Sequence, residues 1–149
     1  MIWNVYLSGE IHTNWRNEIK SKSKGLKLPI EFFEPTTDHD LSDNCGIKIL
    51  GEEKSIFWKD HKSAKLNSIR TRTAIENSDI VIVRFGEKYK QWNAAFDAGF
   101  AAALSKPIII IHSDDNQHAL KEIDAAALVV TKNIEEAIHA LKYVTLGKI

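Results

Sequence analysis

Apolar residues fall along this chain in two patterns that alternate. In the first, they stand on consecutive positions in short β-branched or aromatic runs: Ile2 to Leu7, Ile30 to Phe33, Ile80 to Val83, Ile108 to Ile111 and Leu128 to Val130. Such runs predict strands covered on both faces. In the second, apolar residues recur three or four positions apart and predict helices. These begin at Thr13 or Asn14 and run to about Lys22, then span about Asp60 to Glu76, Trp92 to Lys106, Lys121 to Ala127, and from Asn133 onward with Ile134, Ile138 and Leu141 in register. Residues 35 to 59 follow neither pattern and read as a long irregular loop, the kind that serves as a lid or binding loop.

Strand signals separated by helical ones imply an α/β fold. The expectation is one domain over residues 1–149, a three-layer flavodoxin-like or Rossmann-like arrangement with a five-stranded parallel sheet. Ligands of such sheets bind outside the carboxyl ends of the strands. Attention therefore goes to Ser8 to Arg16 after the first strand, Arg84 and Gly86 after the third, and His112 after the fourth. The helix that begins near Trp92 carries one misfit, Asp97 among alanines. Its place about one turn in suits the positive end of the helix dipole, which by itself favours an acid there by about 0.3–1 kcal/mol. Phe96, Phe100, Ala103 and Leu104 are expected on the buried side of that helix, with Gly99 and the alanines allowing close approach to the sheet.

Composition narrows the function. Lys+Arg and Asp+Glu are 20 each, for a formal net charge of zero, so no global field draws a polyanion and bulk nucleic-acid binding is not expected. Cys45 is the single cysteine, which excludes an intrachain disulfide and fits a reducing cytoplasm. No signal peptide is visible at the start, and no apolar stretch approaches the roughly 20 residues of a membrane span.

Several familiar chemistries are missing. There is no Gly-x-Gly-x-x-Gly after a strand, no serine elbow, no HExxH and no CxxC. Asp38, Asp40 and Asp43 do not make an EF-hand, because Asp43 stands where the loop needs glycine. Gly46 and Gly51 are not a phosphate loop, since Glu52-Glu53 follow. His39, His61 and His139 lack mutual metal-ligand spacing. No metal and no cofactor is expected, and FMN is disfavoured because no Ser/Thr-rich loop follows the first strand.

Tyr6-Leu7-Ser8-Gly9, the central Ser78-Asp79-Ile80-Val81-Ile82-Val83, and Ala95-Phe96-Asp97-Ala98-Gly99 continuing to Leu104-Ser105-Lys106-Pro107 together resemble nucleoside 2-deoxyribosyltransferases and their N-glycoside hydrolase relatives. Ser8-Gly9-Glu10-Ile11-His12-Thr13, with Trp15-Arg16, resembles the YtoQ-type branch. The resemblance implies a carboxylate nucleophile at Asp97, where the family has glutamate. Gln91 stands where the family has an earlier acid, and Asn93-Ala94 where it has a Gly-Thr-like pair. Glu10 or His12 is then left to act as general acid, and the catalytic set is Asp97, Glu10 and His12. The implied substrate-binding residues are Tyr6, Ser8, Gly9, Arg16, Arg84, Gly86, Trp92 and Asn93, with Trp92 stacking on the base and the arginines taking a phosphate or carboxylate. The implied ligand is a small-molecule nucleoside or nucleotide, and the implied assembly a homodimer or higher homo-oligomer. Two further readings stay open: a nucleotide-binding or sensing module that has lost catalysis, and a flavodoxin-like domain used for protein contacts.

Overall fold

The computed structural model describes residues 1–149. Five strands, β1 (Trp3–Gly9), β2 (Ile30–Phe33), β3 (Ile80–Arg84), β4 (Ile108–Ile111) and β5 (Val129–Thr131), form one sheet in the order β2-β1-β3-β4-β5. All four pairings are parallel, as the doubly apolar runs predict. The chain goes outward from β1 to β2 and returns to lay β3 on the other side of β1. That reversal puts a crevice at the carboxyl ends of β1 and β3, where Gly9 lies in register with Arg84.

Helices cover both faces of the sheet. On one, Val5, Leu7, Ile80, Ile82, Ile109 and Ile111 pack against Trp15 and Ile19 of α1 (Trp15–Gly25) and Ile134, Ile138 and Leu141 of α6 (Ile134–Leu146). Asn133 caps α6, its side chain accepting from the Glu136 amide at 2.9 Å. On the other face Val81, Val83, Ile108 and Ile110 are buried beneath α4 (Trp92–Ala103). A short 3-10 turn (Asp114–Asn116) and α5 (Lys121–Ala126) lead from β4 to β5.

Helix α4 turns a different side to the sheet from the one hydrophobicity alone selects. Ala94, Asp97, Ala98 and Ala101 are its buried residues, whereas Phe96 is 59% exposed and Leu104 39%. Two apolar stripes compete on this helix, and volume chooses between them. The sheet face below is already filled by branched side chains, so only the alanine stripe lets the backbones approach at native density. Trp92, 72% exposed, stands with Phe96 on the outer side.

The chain divides into two units, Met1–Phe33 with Ile75–Ile149, and Glu34–Ala74. The second corrects the expected loop. It contains α2 (His39–Leu50) and most of α3 (Ile56–Glu76). Asp38 caps α2 by accepting the Leu41 amide at 2.9 Å. A side chain at Gly46 would place its Cβ 2.4 Å from the Ser63 nitrogen, so glycine lets the two helices touch. Ser63 Oγ then accepts the Gly46 N–H at 3.0 Å and donates to the Asp43 carbonyl at 2.7 Å. The Asp, Ser, Asn and Gly of α2 are poor helix formers, and these contacts between helices supply what propensity does not. No helix of the protein is long and apolar enough to cross a membrane.

Candidate active site

The site is built where β1 and β3 end. Gly9 has φ +123°, and a Cβ there would lie 2.1 Å from the Arg84 carbonyl oxygen, so only glycine fits the crossing of the two chains. Gly86 plays a related part, since a Cβ would come within 2.9 Å of Glu10 Cγ. Gly86 thereby leaves room for Glu10, which is 3% exposed.

Glu10 is held from several sides. Its Oε2 accepts the amides of His12 at 2.7 Å and Thr13 at 3.0 Å, and its Oε1 accepts the Thr13 hydroxyl. Arg84 Nε lies 3.3 Å from Oε1, an ion-pair distance, yet its N–H is not aimed at that oxygen and makes no hydrogen bond. Burial by itself pushes the Glu10 carboxyl up, but the Thr13 hydroxyl, the two amides and the Arg84 charge outweigh it and leave the group below its ordinary 4.5. Glu10 is thus an ionised acceptor, which suits the shaping of a loop and not the donation of a proton.

Arg16 is 6% exposed and points back into the same loop. Its Nε, Nη1 and Nη2 donate to the carbonyls of Leu7 at 3.2 Å, Glu10 at 2.7 Å and Gly9 at 3.0 Å. Trp15 Nε1 adds a second donor to the Glu10 carbonyl at 2.8 Å. These bonds satisfy backbone acceptors just past a strand end and give Arg16 a scaffold's work.

Asp97 meets β1 from above. Ser8 Oγ donates to its Oδ2 at 2.6 Å, and the two residues are 1% and 9% exposed. Burial pushes the Asp97 carboxyl up to about 6, against the opposing pull of the Ser8 hydroxyl and the Arg16 charge. Tyr6 shares this sheet face and is fully buried.

A cleft of about 240 Å³ opens beside this pair. One wall is Gly9, Glu10, Ile11 and His12; the other is Tyr89 to Ala94, with Trp92 and Asn93 at the start of α4. The His12 and Tyr89 rings meet across it, centroids 4.6 Å apart and tilted by 55°. Gln91 accepts the Gly86 amide at 3.0 Å and donates to the Tyr89 carbonyl. The structure therefore gathers Gly9, Glu10, His12, Trp92 and Asn93 around one space. Arg84 and Gly86 sit behind Glu10, while Asp97 lies about one helical turn beyond Ala94 and does not itself line the cleft.

Sequence reasoning passed over Thr13, Tyr89 and Lys90. The last two follow a strand end in a parallel sheet, which is a usable signal. Thr13 stood in the loop after β1 and in the motif there, but only as a possible helix cap and with no part in the site. His112, also after a strand, is 6% exposed and faces Asp124 of α5 through Nε2 at 3.0 Å, with Nδ1 2.6 Å from the Ser113 carbonyl.

The family model described as Nucleoside 2-deoxyribosyltransferase YtoQ matches residues 6–145. The Bacillus subtilis (strain 168) protein YtoQ, described as uncharacterized, is 49% identical over 139 residues, which is 93% of this chain and 94% of that protein. Among solved structures, a conserved protein from Enterococcus faecalis V583 superposes with a TM-score of 0.60 at 13% identity, covering 97% of this chain and 99% of the other. A 2-deoxyribosyltransferase from Bacillus psychrosaccharolyticus gives 0.51 at 15% identity over 93% and 95% of the two chains. The CMP N-glycosidase BcmB of Clostridium botulinum gives 0.50 at 14% identity over 93% and 98%. At these identities the structural likeness speaks to the fold.

Proposed function

The chain belongs to the YtoQ family of nucleoside 2-deoxyribosyltransferase-like proteins, and from that premise we propose that it acts on the N-glycosidic bond of a nucleoside or nucleotide through Asp97. The observation that carries the reading is a buried carboxylate, oriented by Ser8 at 2.6 Å, at the switch point of a parallel sheet and one turn from a cleft. In this mechanism an Asp97 oxygen bonds to the anomeric carbon as the C–N bond breaks. The bond's electron pair leaves with the base, which takes a proton from His12 on the cleft wall. Water or a second base then attacks the same carbon, returns a proton to His12 and frees Asp97, so configuration is retained. Glu10 keeps its charge throughout and holds the loop that presents His12. Trp92, exposed at the mouth, offers a face on which a base can stack.

The test is a panel of nucleosides and 5′-monophosphates followed for free base. Wild-type protein is expected to release base from at least one of them, and Asp97→Ala and Asp97→Asn to release none while remaining folded. Turnover at the wild-type rate in either variant would refute Asp97 as the nucleophile.

The burial of Asp97 favours a second reading. A carboxylate 9% exposed and paired to Ser8 also suits a nucleotide-binding or sensing module, which would be stabilised by its ligand without forming product. The outer stripe of α4, with Trp92 and Phe96 more than half exposed, supports association of copies of this chain.

A further inference from the structure

Ser8 is a polar residue in an apolar layer. Its strand neighbour is Val83, and Val81, Ile108 and Ile110, with the ring of Tyr6, line that face beneath α4. Packing alone would be met by alanine, as it is at Ala94, Ala98 and Ala101 across from it. The hydroxyl instead donates to Asp97 Oδ2 at 2.6 Å, within the range of about 2.5–2.7 Å typical of a bond from a hydroxyl to a charged oxygen. The donor sits on β1 in register with Val83 of β3, so the ladder between those two strands holds it in place. The acceptor comes from α4, and no hydrogen bond reaches its other oxygen, Oδ1.

We propose that Ser8 is the positioning residue of this site: it pins Oδ2 to the sheet, favours the ionised carboxylate, and leaves Oδ1 as the oxygen that attacks. The inference rests on the reading of Asp97 as nucleophile and assigns Ser8 a place behind that nucleophile instead of against the substrate. An aspartate cannot reach as far as a glutamate, and a fixed anchor on the strand sets where its free oxygen points. Ser8 keeps its own proton throughout the displacement, so it exchanges nothing with the substrate.

The charged and titratable groups around Asp97 are few. Arg16 acts on it from α1, Tyr6 shares its sheet face on β1, and from the next strand and helix His112 and Asp124 are paired with each other. Helix α4 itself carries no other charged residue. A change in the titration of Asp97 on altering Ser8 is therefore traceable to the one bond that is removed.

The test uses the full chain with Ser8→Ala, and Ser8→Cys as a variant that keeps a weak donor. For a substrate that wild type turns over, Ser8→Ala is expected to lower kcat about ten- to a hundredfold, the worth of a hydrogen bond to a charged group, with KM within about twofold. The acid limb of its pH–rate profile moves to higher pH, because the ionised carboxylate has lost its donor. Ser8→Cys falls between the two. Carbon-13 titration of the Asp97 carboxyl in the same proteins, without substrate, is expected to show its midpoint rising by about one pH unit in Ser8→Ala. A loss of rate with the acid limb and the midpoint unmoved would mean that Ser8 only packs, and an unchanged rate would remove its role altogether; either overturns the proposal. If wild type releases no base from any substrate, the enzymatic reading falls separately. The carboxyl titration then still decides whether Ser8 governs the charge of Asp97, and an unmoved midpoint refutes it.

Discussion

Replacing Asp97 by asparagine should make the protein more stable at neutral pH, although it removes the proposed nucleophile. In the folded chain the carboxyl is raised from the ordinary 3.8 of an aspartate to about 6, chiefly by burial. At pH below 3.8 it is protonated in both folded and unfolded chains and contributes no difference. Between about 3.8 and 6 the unfolded chain ionises while the folded one holds its proton, so stability falls as pH rises. Above 6 both are ionised and the full cost of a buried charge is present. A shift of roughly two pH units at about 1.4 kcal/mol each makes that cost about 3 kcal/mol, a sizeable part of the roughly 5–15 kcal/mol that holds a domain together. Asparagine fits the space and stays neutral, so it escapes this cost while its side-chain oxygen still accepts from Ser8. Denaturant unfolding of wild type and Asp97→Asn at pH 4 and pH 8 measures the difference directly. The variant should gain about 2–3 kcal/mol at the higher pH, and most of that gain should vanish at the lower. A variant less stable than wild type at pH 8, or a gain that does not vary with pH, would refute the account of Asp97 as a charge held against its solvation.

Two further outcomes probe the frame around it. Gly9→Ala should cost more than about 2 kcal/mol and disrupt the junction of β1 with β3, since φ is +123° and the new methyl meets the Arg84 carbonyl; Gly25→Ala, with open space around it, should be neutral or stabilising by up to about 1 kcal/mol. Chemical denaturation of the pair gives the contrast. Glu10→Gln should lose at least about 1.5–3 kcal/mol at neutral pH, the worth of one hydrogen bond to a charged acceptor. Because the folded-state carboxyl is lowered from 4.5, the stability it adds is present above 4.5 and lost as pH falls through its depressed value, so the penalty should shrink on acidification. A Glu10→Gln penalty that grows towards acid pH would contradict the assignment of Glu10 as an ionised acceptor.

Much of this protein was determined by its sequence alone. Runs such as Ile108 to Ile111, apolar at every position, admit a strand covered on both faces and little else, and their alternation with helical spacing specifies the parallel five-stranded sheet and the crevice at its switch point. The isolated acid on α4 and the residues after β1 pointed to the same end of the sheet. The spacing from Asp60 to Glu76 marked most of α3, but α2 and the first turn of α3 could not be read, because α2 is poor by propensity and rests on a close approach at Gly46 and on the bonds of Ser63, which are invisible until the two segments meet. The orientation of α4 likewise belonged to tertiary structure: which of two apolar stripes faces the sheet depends on the volume left by Val81, Val83, Ile108 and Ile110. The surroundings of the two carboxylates were also set in three dimensions. Glu10 and Asp97 are both buried carboxylates, but amide, hydroxyl and guanidinium neighbours lower one, while burial against a single hydroxyl raises the other. Sequence supplies the carboxylates, and only the donors that folding brings within 3 Å or so decide which stays charged and which is poised to change.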